Sequence, residues 1–175
     1  NKGVDAHQAP YVHRLFRDVF TGVDTRQKKA IPVNELHTLL YKDPQSDKLR
    51  RTQAIANLLF LFCGMPFVDL AHLEKSNLEG NILKYNRIKT GTPMSVEILE
   101  SASDTVSQLR NFHSSTLPEH PDYLFYILSG KNKRDEEAAY KEYQSTLRRF
   151  NNDLKSLAKR LHIHSAITSY TFRHS

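Results

Sequence analysis

Apolar residues recur at steps of three and four along most of this chain, a spacing that predicts amphipathic helices. Helices are expected over residues 10–22, 33–41, 47–63, 67–74 and 100–112. Residues 47–63 begin polar and become almost wholly apolar, which indicates a central helix whose far end is buried on all sides. The clearest pattern predicts a final helix of about seven turns with one apolar stripe, formed by Tyr140, Tyr143, Leu147, Phe150, Leu154, Leu157 and Leu161.

Two neighbouring stretches have the pattern of β-strands instead. Ile82, Leu83 and Tyr85 mark a strand over residues 81–87, and apolar and polar residues alternate over residues 92–98. A short segment, Lys89-Thr90-Gly91, lies between them, so we expect a β-hairpin with the lysine near its tip. Residues 113–121 are expected to be loop. Residues 123–128 fit either a strand or a buried extended segment.

The charge of the chain favours an anionic partner. The sequence has 25 Lys and Arg against 19 Asp and Glu, a formal net charge of +6, which promotes encounter with a polyanion. The polar side of the final helix is basic, with Lys141, Arg148, Arg149, Lys155 and Lys159. A basic helical face is more often simply solvated, so neither feature alone distinguishes a DNA-binding domain from another basic domain.

Length and composition limit the organisation of the chain. The 175 residues, 39% of them hydrophobic, support one domain with one core, and the charged stretch 24–29 before Ile31-Pro32 predicts a domain boundary. The single cysteine, Cys63, lies in an apolar run and is expected to be a core residue. It excludes an internal disulfide, which fits a reducing cytosol.

The sequence also gives expectations about membranes and chain ends. No run of it approaches the roughly 18 consecutive apolar residues of a membrane span. The first residues are polar and Asn1 takes the place of an initiator Met, which indicates an excised fragment and not a signal peptide.

Three short motifs carry candidate chemistry. They are GMPFVDLAHL at residues 64–73, YNRIKTG at residues 85–91 and TSYTFRH at residues 168–174. Their order on a basic helical background resembles the catalytic domain of tyrosine recombinases, especially the integrases of mobile elements in Bacteroides-like bacteria. The resemblance covers residues 31–175, and residues 1–30 resemble the tail of the family's core-binding domain with its linker.

The resemblance implies a fold and a function. The expected fold is mainly α, of the α+β class, with helices around a small antiparallel three-stranded sheet or hairpin. The implied reaction is site-specific cleavage and rejoining of double-stranded DNA through a covalent 3′-phosphotyrosine, for integration or excision of a mobile element. It implies no cofactor and no metal, a bacterial cytoplasmic location, and a tetramer on DNA for the full-length protein. The fragment itself is expected to be a monomer.

The resemblance also assigns site residues. Lys89 matches the hairpin lysine of the family, and Arg173 with His174 matches its second arginine and neighbouring histidine. Fixed cations suit this chemistry because attack on a phosphodiester builds negative charge on the phosphorane oxygens, and a general acid must protonate the leaving 5′ oxygen. Each assignment has a simpler alternative: Lys89 is a solvated turn residue, or Arg173 is an ordinary charge at a helix start.

The sequence departs from the family at three places. Pro66 stands where the family has its first arginine, and Tyr170 stands where it usually has a histidine. The nucleophilic tyrosine is expected beyond Ser175, which makes the fragment inactive by truncation. Asp69 matches an acidic position expected to orient the arginine or histidine, although a plain first-turn carboxylate is the alternative.

We hypothesise that Arg87 supplies the missing charge, because strand residues two apart project from the same face as each other and Lys89 follows two residues later. Contact with the DNA backbone away from the scissile phosphate is an equal alternative for Arg87. For the whole chain, two alternatives remain. It is a non-catalytic DNA-binding protein on a recombinase scaffold, or an unrelated basic helical module in which Asp69, Lys89 and Arg173 do not cluster.

Overall fold

The computed structural model describes residues 31–111, 122–131 and 133–173. The predicted helix over residues 10–22, the connector at 24–29 and the loop at 113–121 lie outside the described residues.

Five α-helices and one small sheet make up the described part of the chain. The helices are α1 Val33–Tyr41, α2 Asp47–Leu61, α3 Phe67–Ala71, α4 Glu100–Arg110 and α5 Glu136–Arg160. The strands are β1 Leu78–Glu79, β2 Ile82–Asn86 and β3 Pro93–Glu97, and two short 3-10 helices span Lys75–Asn77 and Thr171–Arg173. Among the described helices, none combines the length and apolar character that crossing a membrane requires.

The central helix is α2, as its pattern predicts. It packs against α1, α4, α5 and the 3-10 helix Thr171–Arg173. Its interior residues Ala56, Leu58 and Leu59 have no exposed area, while its first turn remains polar. Burial of so many apolar side chains around one helix supplies the main driving force for the fold.

The helix α2 ends at Leu61, two residues earlier than predicted, because Cys63 and Gly64 take φ values of +55° and +72°. Two successive left-handed residues cannot continue a right-handed helix. They turn the Cys63 side chain out of the core, so the thiol is free and exposed. The prediction that Cys63 is a core residue is therefore wrong.

The three strands form an antiparallel sheet in the order β1-β2-β3. Leu83 pairs with Val96 in this sheet, and Tyr85 pairs with Met94. Leu83, Tyr85 and Val96 are buried, so one face of the sheet covers the core. The predicted hairpin is confirmed, whereas β1 has only two residues and is too short for a periodic signal.

Helix α5 has the predicted two faces. Phe150, Leu154 and Leu157 are buried against the core. The predicted basic residues on its other side are all exposed: Lys141, Arg148, Arg149, Lys155 and Lys159. The helix begins where the side chain of Asp135 accepts a hydrogen bond from the Ala138 amide at 3.0 Å, a standard N-cap.

The segment around residues 123–128 is neither a regular strand nor a helix. The Leu124 amide donates to the Leu73 carbonyl at 2.8 Å, and the Lys75 amide donates to the Asp122 carbonyl at 2.7 Å. The only bridge in this stretch pairs Glu74 with Tyr123, and the chain then continues as buried irregular structure. This tertiary pairing ends α3 at Ala71, three residues before the predicted end.

The core position of Leu154 can be tested directly. Leu154 has no exposed area, whereas Leu99 is 55% exposed. We expect Leu154→Ala to lower the free energy of unfolding by about 2–5 kcal/mol, because it leaves a cavity beside α2. Leu99→Ala, the same chemical change at the surface, should cost less than about 0.5 kcal/mol. Urea unfolding of both variants measures the difference, and equal losses would contradict the packing described.

Candidate active site

Gly64 brings the first and third motifs into direct backbone contact. A Cβ atom at this position would lie 2.9 Å from the Cα atom of Arg173 and 3.2 Å from the carbonyl oxygen of Phe172. Phe172 is 2% exposed and anchors its 3-10 helix in the core. The loop before α3 and the segment that carries Arg173 are therefore held together, although more than 100 residues separate them in the sequence.

The last motif has its own local supports. The Ser169 amide donates to the Asn151 side chain on α5 at 2.8 Å, and the Thr168 amide donates to the Thr171 hydroxyl at 3.0 Å. The Arg173 amide donates to the Tyr170 carbonyl at 3.1 Å. These bonds fix the turn that presents Tyr170 and Arg173, whose side chains are both exposed.

A small cavity of about 50 Å³ lies at this junction, and Pro66, Tyr143, Tyr170 and Arg173 are among its lining residues. Pro66 and Arg173, the two positions that the resemblance aligns with arginines, thus adjoin one space. Proline offers no donor there. Tyr143 and Tyr170 both line this cavity. Burial, and to a smaller extent the charge of Tyr170, raises the pKa of Tyr143.

Asp69 connects the first motif to the second. It lies in the middle of α3, is 3% exposed, and its Oδ1 accepts a hydrogen bond from the Ile88 amide at 3.0 Å. Ile88 immediately precedes Lys89. Among the described residues, the partner of this carboxylate is the hairpin backbone and not the arginine or histidine side chain that the resemblance implies.

The hairpin turn fixes the position of Lys89. The Gly91 amide donates to the Arg87 carbonyl at 2.7 Å, and the Arg87 amide donates to the Thr92 carbonyl at 2.9 Å. Gly91 takes a φ of +66°, which its missing Cβ permits. Lys89 is exposed at the tip of the hairpin, as its sequence context predicts.

Arg87 lies at the base of this turn, half-buried. Its charge partly offsets the rise in the pKa of Tyr85, which burial and then the charge of Asp69 cause. The Arg87 Nε atom is buried without a hydrogen-bond partner among the described residues. Strand β2 ends at Asn86, so Arg87 and Lys89 both lie outside it. The expectation that the two side chains project from the same face of a strand is therefore wrong.

His174, which the resemblance assigns to the site, lies outside the described residues. Tyr143 is a further residue at the candidate site, and the resemblance does not assign it. Tyr143 follows the apolar stripe of α5 and therefore has the sequence signature of a core residue, yet it lines the cavity beside Tyr170. In the described part of the chain, no three His, Cys, Asp or Glu side chains are grouped to hold a metal ion.

Comparison with known proteins identifies the fold. No protein-family model and no curated protein matches the sequence. A crystal structure of XerA recombinase is similar, with a TM-score of 0.54 and 17% sequence identity, over 99% of this chain and 60% of that chain. The chain shares the fold of this structure over that length. This confirms the predicted mainly helical α+β architecture with a small three-stranded antiparallel sheet.

The contact at Gly64 can be tested against a second glycine. Gly64 and Gly80 have similar φ values of +72° and +63°, but a Cβ at Gly80 would meet nothing within 4 Å. Alanine at either site costs about 1–2 kcal/mol for the left-handed conformation. We expect Gly64→Ala to cost at least about 1 kcal/mol more, because it also displaces Arg173. Urea unfolding gives both values, and equal costs would show that the close contact is absent.

The bond between Asp69 and Ile88 predicts local hydrogen exchange. Removing a charged acceptor costs about 1.5–3 kcal/mol, so Asp69→Ala should speed exchange of the Ile88 amide by roughly 10–100-fold. Asp69→Asn keeps an acceptor oxygen and should speed it less. Exchange at Leu83, in the middle of β2, corrects for global destabilisation. Equal acceleration at Leu83 and Ile88 in both variants would contradict a local role for Asp69.

Proposed function

We propose that this chain binds double-stranded DNA and forms the catalytic domain of a site-specific tyrosine recombinase that serves integration or excision of a mobile element. The main support is the meeting of three distant motifs around α3. Gly64 lies against the backbone of Arg173, and Asp69 holds the amide next to Lys89. Nothing in an unrelated helical module would require these segments to be in contact.

The proposed reaction exchanges one phosphodiester for another. A tyrosine hydroxyl, contributed from beyond Ser175, loses its proton to water and attacks the scissile phosphorus, and the bond from phosphorus to the 5′ oxygen breaks. Lys89 donates a proton to that leaving oxygen. Arg173 stabilises the additional negative charge of the phosphorane through two parallel N–H bonds. The reverse sequence, with a new 5′ hydroxyl as the nucleophile, rejoins the strand and releases the tyrosine.

Arg87 supplies the cation that Pro66 cannot. Its side chain is only half-buried at the base of the turn that carries Lys89, so a phosphate oxygen can reach the guanidinium. Contact with a DNA phosphate outside the scissile position remains the competing role for Arg87.

The other assigned residues have supporting roles in this proposal. Tyr170 occupies the position that is usually histidine in the family, and its hydroxyl donates a hydrogen bond to a phosphate oxygen. His174 follows Arg173 directly in the chain. Asp69 is a positioning residue, since its carboxylate binds the hairpin backbone. The exposed basic residues of α5 add non-specific attraction for DNA phosphates.

The assembly and location follow from the same proposal. The full-length protein acts as a tetramer on DNA in the bacterial cytoplasm, without a cofactor, and the 175-residue chain alone is a monomer. The N-terminal 30 residues belong to the end of a core-binding domain and its linker.

A non-catalytic DNA-binding protein is the second candidate. Pro66 is the observation that favours it, because the cavity beside Arg173 lacks a donor at that position. The two candidates differ in whether a covalent protein–DNA intermediate forms.

Cleavage of a suicide DNA substrate by the full-length protein that contains this chain separates the two candidates. We expect a covalent protein–DNA adduct, and Lys89→Ala should slow its formation by about 10²–10⁴-fold. A substrate with sulfur at the 5′ bridging position should restore the rate of Lys89→Ala, because a thiolate leaves without protonation. Arg173→Ala should not be restored. Absence of any adduct on either substrate would favour the non-catalytic candidate.

The role of Arg87 needs its own variant and control. We expect Arg87→Ala to slow adduct formation by about 10²-fold or more, the usual loss for one charge-stabilising donor, with DNA affinity little changed. Lys84→Ala is the matched control, since Lys84 is an exposed β2 residue that pairs with Glu79 at 2.5 Å. A normal cleavage rate for Arg87→Ala would end the hypothesis that it replaces the first arginine.

A further inference from the structure

Three tyrosines lie beside the candidate active site. Tyr143 of α5 and Tyr170 of the last motif both line the small cavity that Arg173 adjoins. Tyr140 precedes Tyr143 by three residues on α5, and side chains with this spacing are neighbours on a helix. The three side chains therefore follow one another from α5 to the turn that carries Arg173, and we call them the tyrosine surface.

Two of these three rings are open to solvent. Tyr140 is 63% exposed and Tyr170 is 64% exposed, and both belong to the six large hydrophobic side chains that are exposed in the described part of the chain. Tyr143 is half-buried, with its ring centroid 6.3 Å from that of Phe67 and 5.8 Å from that of His72. Exposed aromatic side chains that lie together are typical of a binding surface.

A 3-10 turn places a cation beside the Tyr170 ring. The Arg173 amide donates to the Tyr170 carbonyl at 3.1 Å, and side chains three residues apart in this type of turn lie on the same edge. Both side chains are exposed, and both line the cavity. Proteins bind single-stranded nucleic acid with these two groups, since a base stacks on the aromatic ring and a phosphate pairs with the cation.

The chemistry of the tyrosine surface favours an unpaired base over a base pair. Inside a duplex, neighbouring base pairs cover both faces of each base, so a ring can stack on a base only after it leaves the duplex stack. The guanidinium of Arg173 and the net charge of +6 favour nucleic acid over an apolar peptide as the occupant.

We propose that the exposed ring of Tyr170 stacks on an unpaired nucleobase whose phosphate lies against Arg173, and that Tyr143 and Tyr140 extend this surface. The ring of Tyr170 then has a role separate from that of its hydroxyl. The inference rests on the proposed function in taking DNA as the partner, but it does not require the cleavage reaction. Bases next to a strand break unstack more easily than internal ones, so the surface holds the end of a cut strand.

Binding of a fluorescently labelled oligothymidylate to the 175-residue chain, measured by anisotropy, tests the proposal. An abasic strand of the same length and a duplex are the comparison probes. We expect Tyr170→Ala to weaken oligothymidylate binding by about 5–100-fold, the usual loss for one stacked base, and to leave binding of the abasic strand nearly unchanged. Tyr170→Phe keeps the ring and should bind the oligothymidylate almost as tightly as the unaltered chain.

Tyr41 provides the matched control. It is 57% exposed on α1 and is not part of the tyrosine surface, so Tyr41→Ala should leave the affinity unchanged. The hydrogen bonds of Tyr170 to Thr168 and Arg173 use its backbone, so Tyr170→Ala should stay folded.

Three results would overturn the stacking proposal. They are equal affinity for the oligothymidylate and the abasic strand, equal losses from Tyr170→Ala and Tyr41→Ala, and equal losses from Tyr170→Ala and Tyr170→Phe. If the duplex still binds, DNA binding under the proposed function stands and only the stacking is wrong. If none of the three probes binds, both proposals fail.

Discussion

The backbone of Arg173 reaches the loop before α3 because residue 64 has no side chain. Any Cβ there would lie 2.9 Å from the Cα atom of Arg173, closer than van der Waals contact allows. The same glycine, together with Cys63, takes the left-handed conformation that ends α2. One position therefore sets where the central helix stops, where α3 begins and how closely the 3-10 helix with Arg173 approaches.

Helix α3 then connects this contact to the hairpin. It has only five residues, yet the cavity beside Arg173 lies at its start and the Asp69 carboxylate binds the Ile88 amide from its middle. A buried carboxylate is costly unless it is hydrogen-bonded, so this bond stabilises the fold as well as the hairpin position. This five-residue helix thus connects the segment that carries Arg173 with the turn that carries Lys89.

The sequence predicts the long elements well because they depend on periodic burial. The stripe of α5, the apolar end of α2 and the hairpin around Lys89 all follow from spacing alone. Cys63 was predicted wrongly because its place in an apolar run carries no information about a left-handed turn. The contact of Asp69 with Ile88 is set by tertiary packing, and Tyr143 has the pattern of a core residue although it lines a cavity. Periodicity alone shows neither feature.

We propose that the Lys89 turn and the Arg173 segment bind the same stretch of DNA backbone. Titration of the isotope-labelled chain with a short DNA duplex, followed by backbone amide NMR, is the direct test. We expect simultaneous shifts at residues 87–91 and 168–173 and at Gly64, with smaller changes along the basic residues of α5. Shifts confined to α5, with the hairpin turn and the Arg173 segment unchanged, would contradict it.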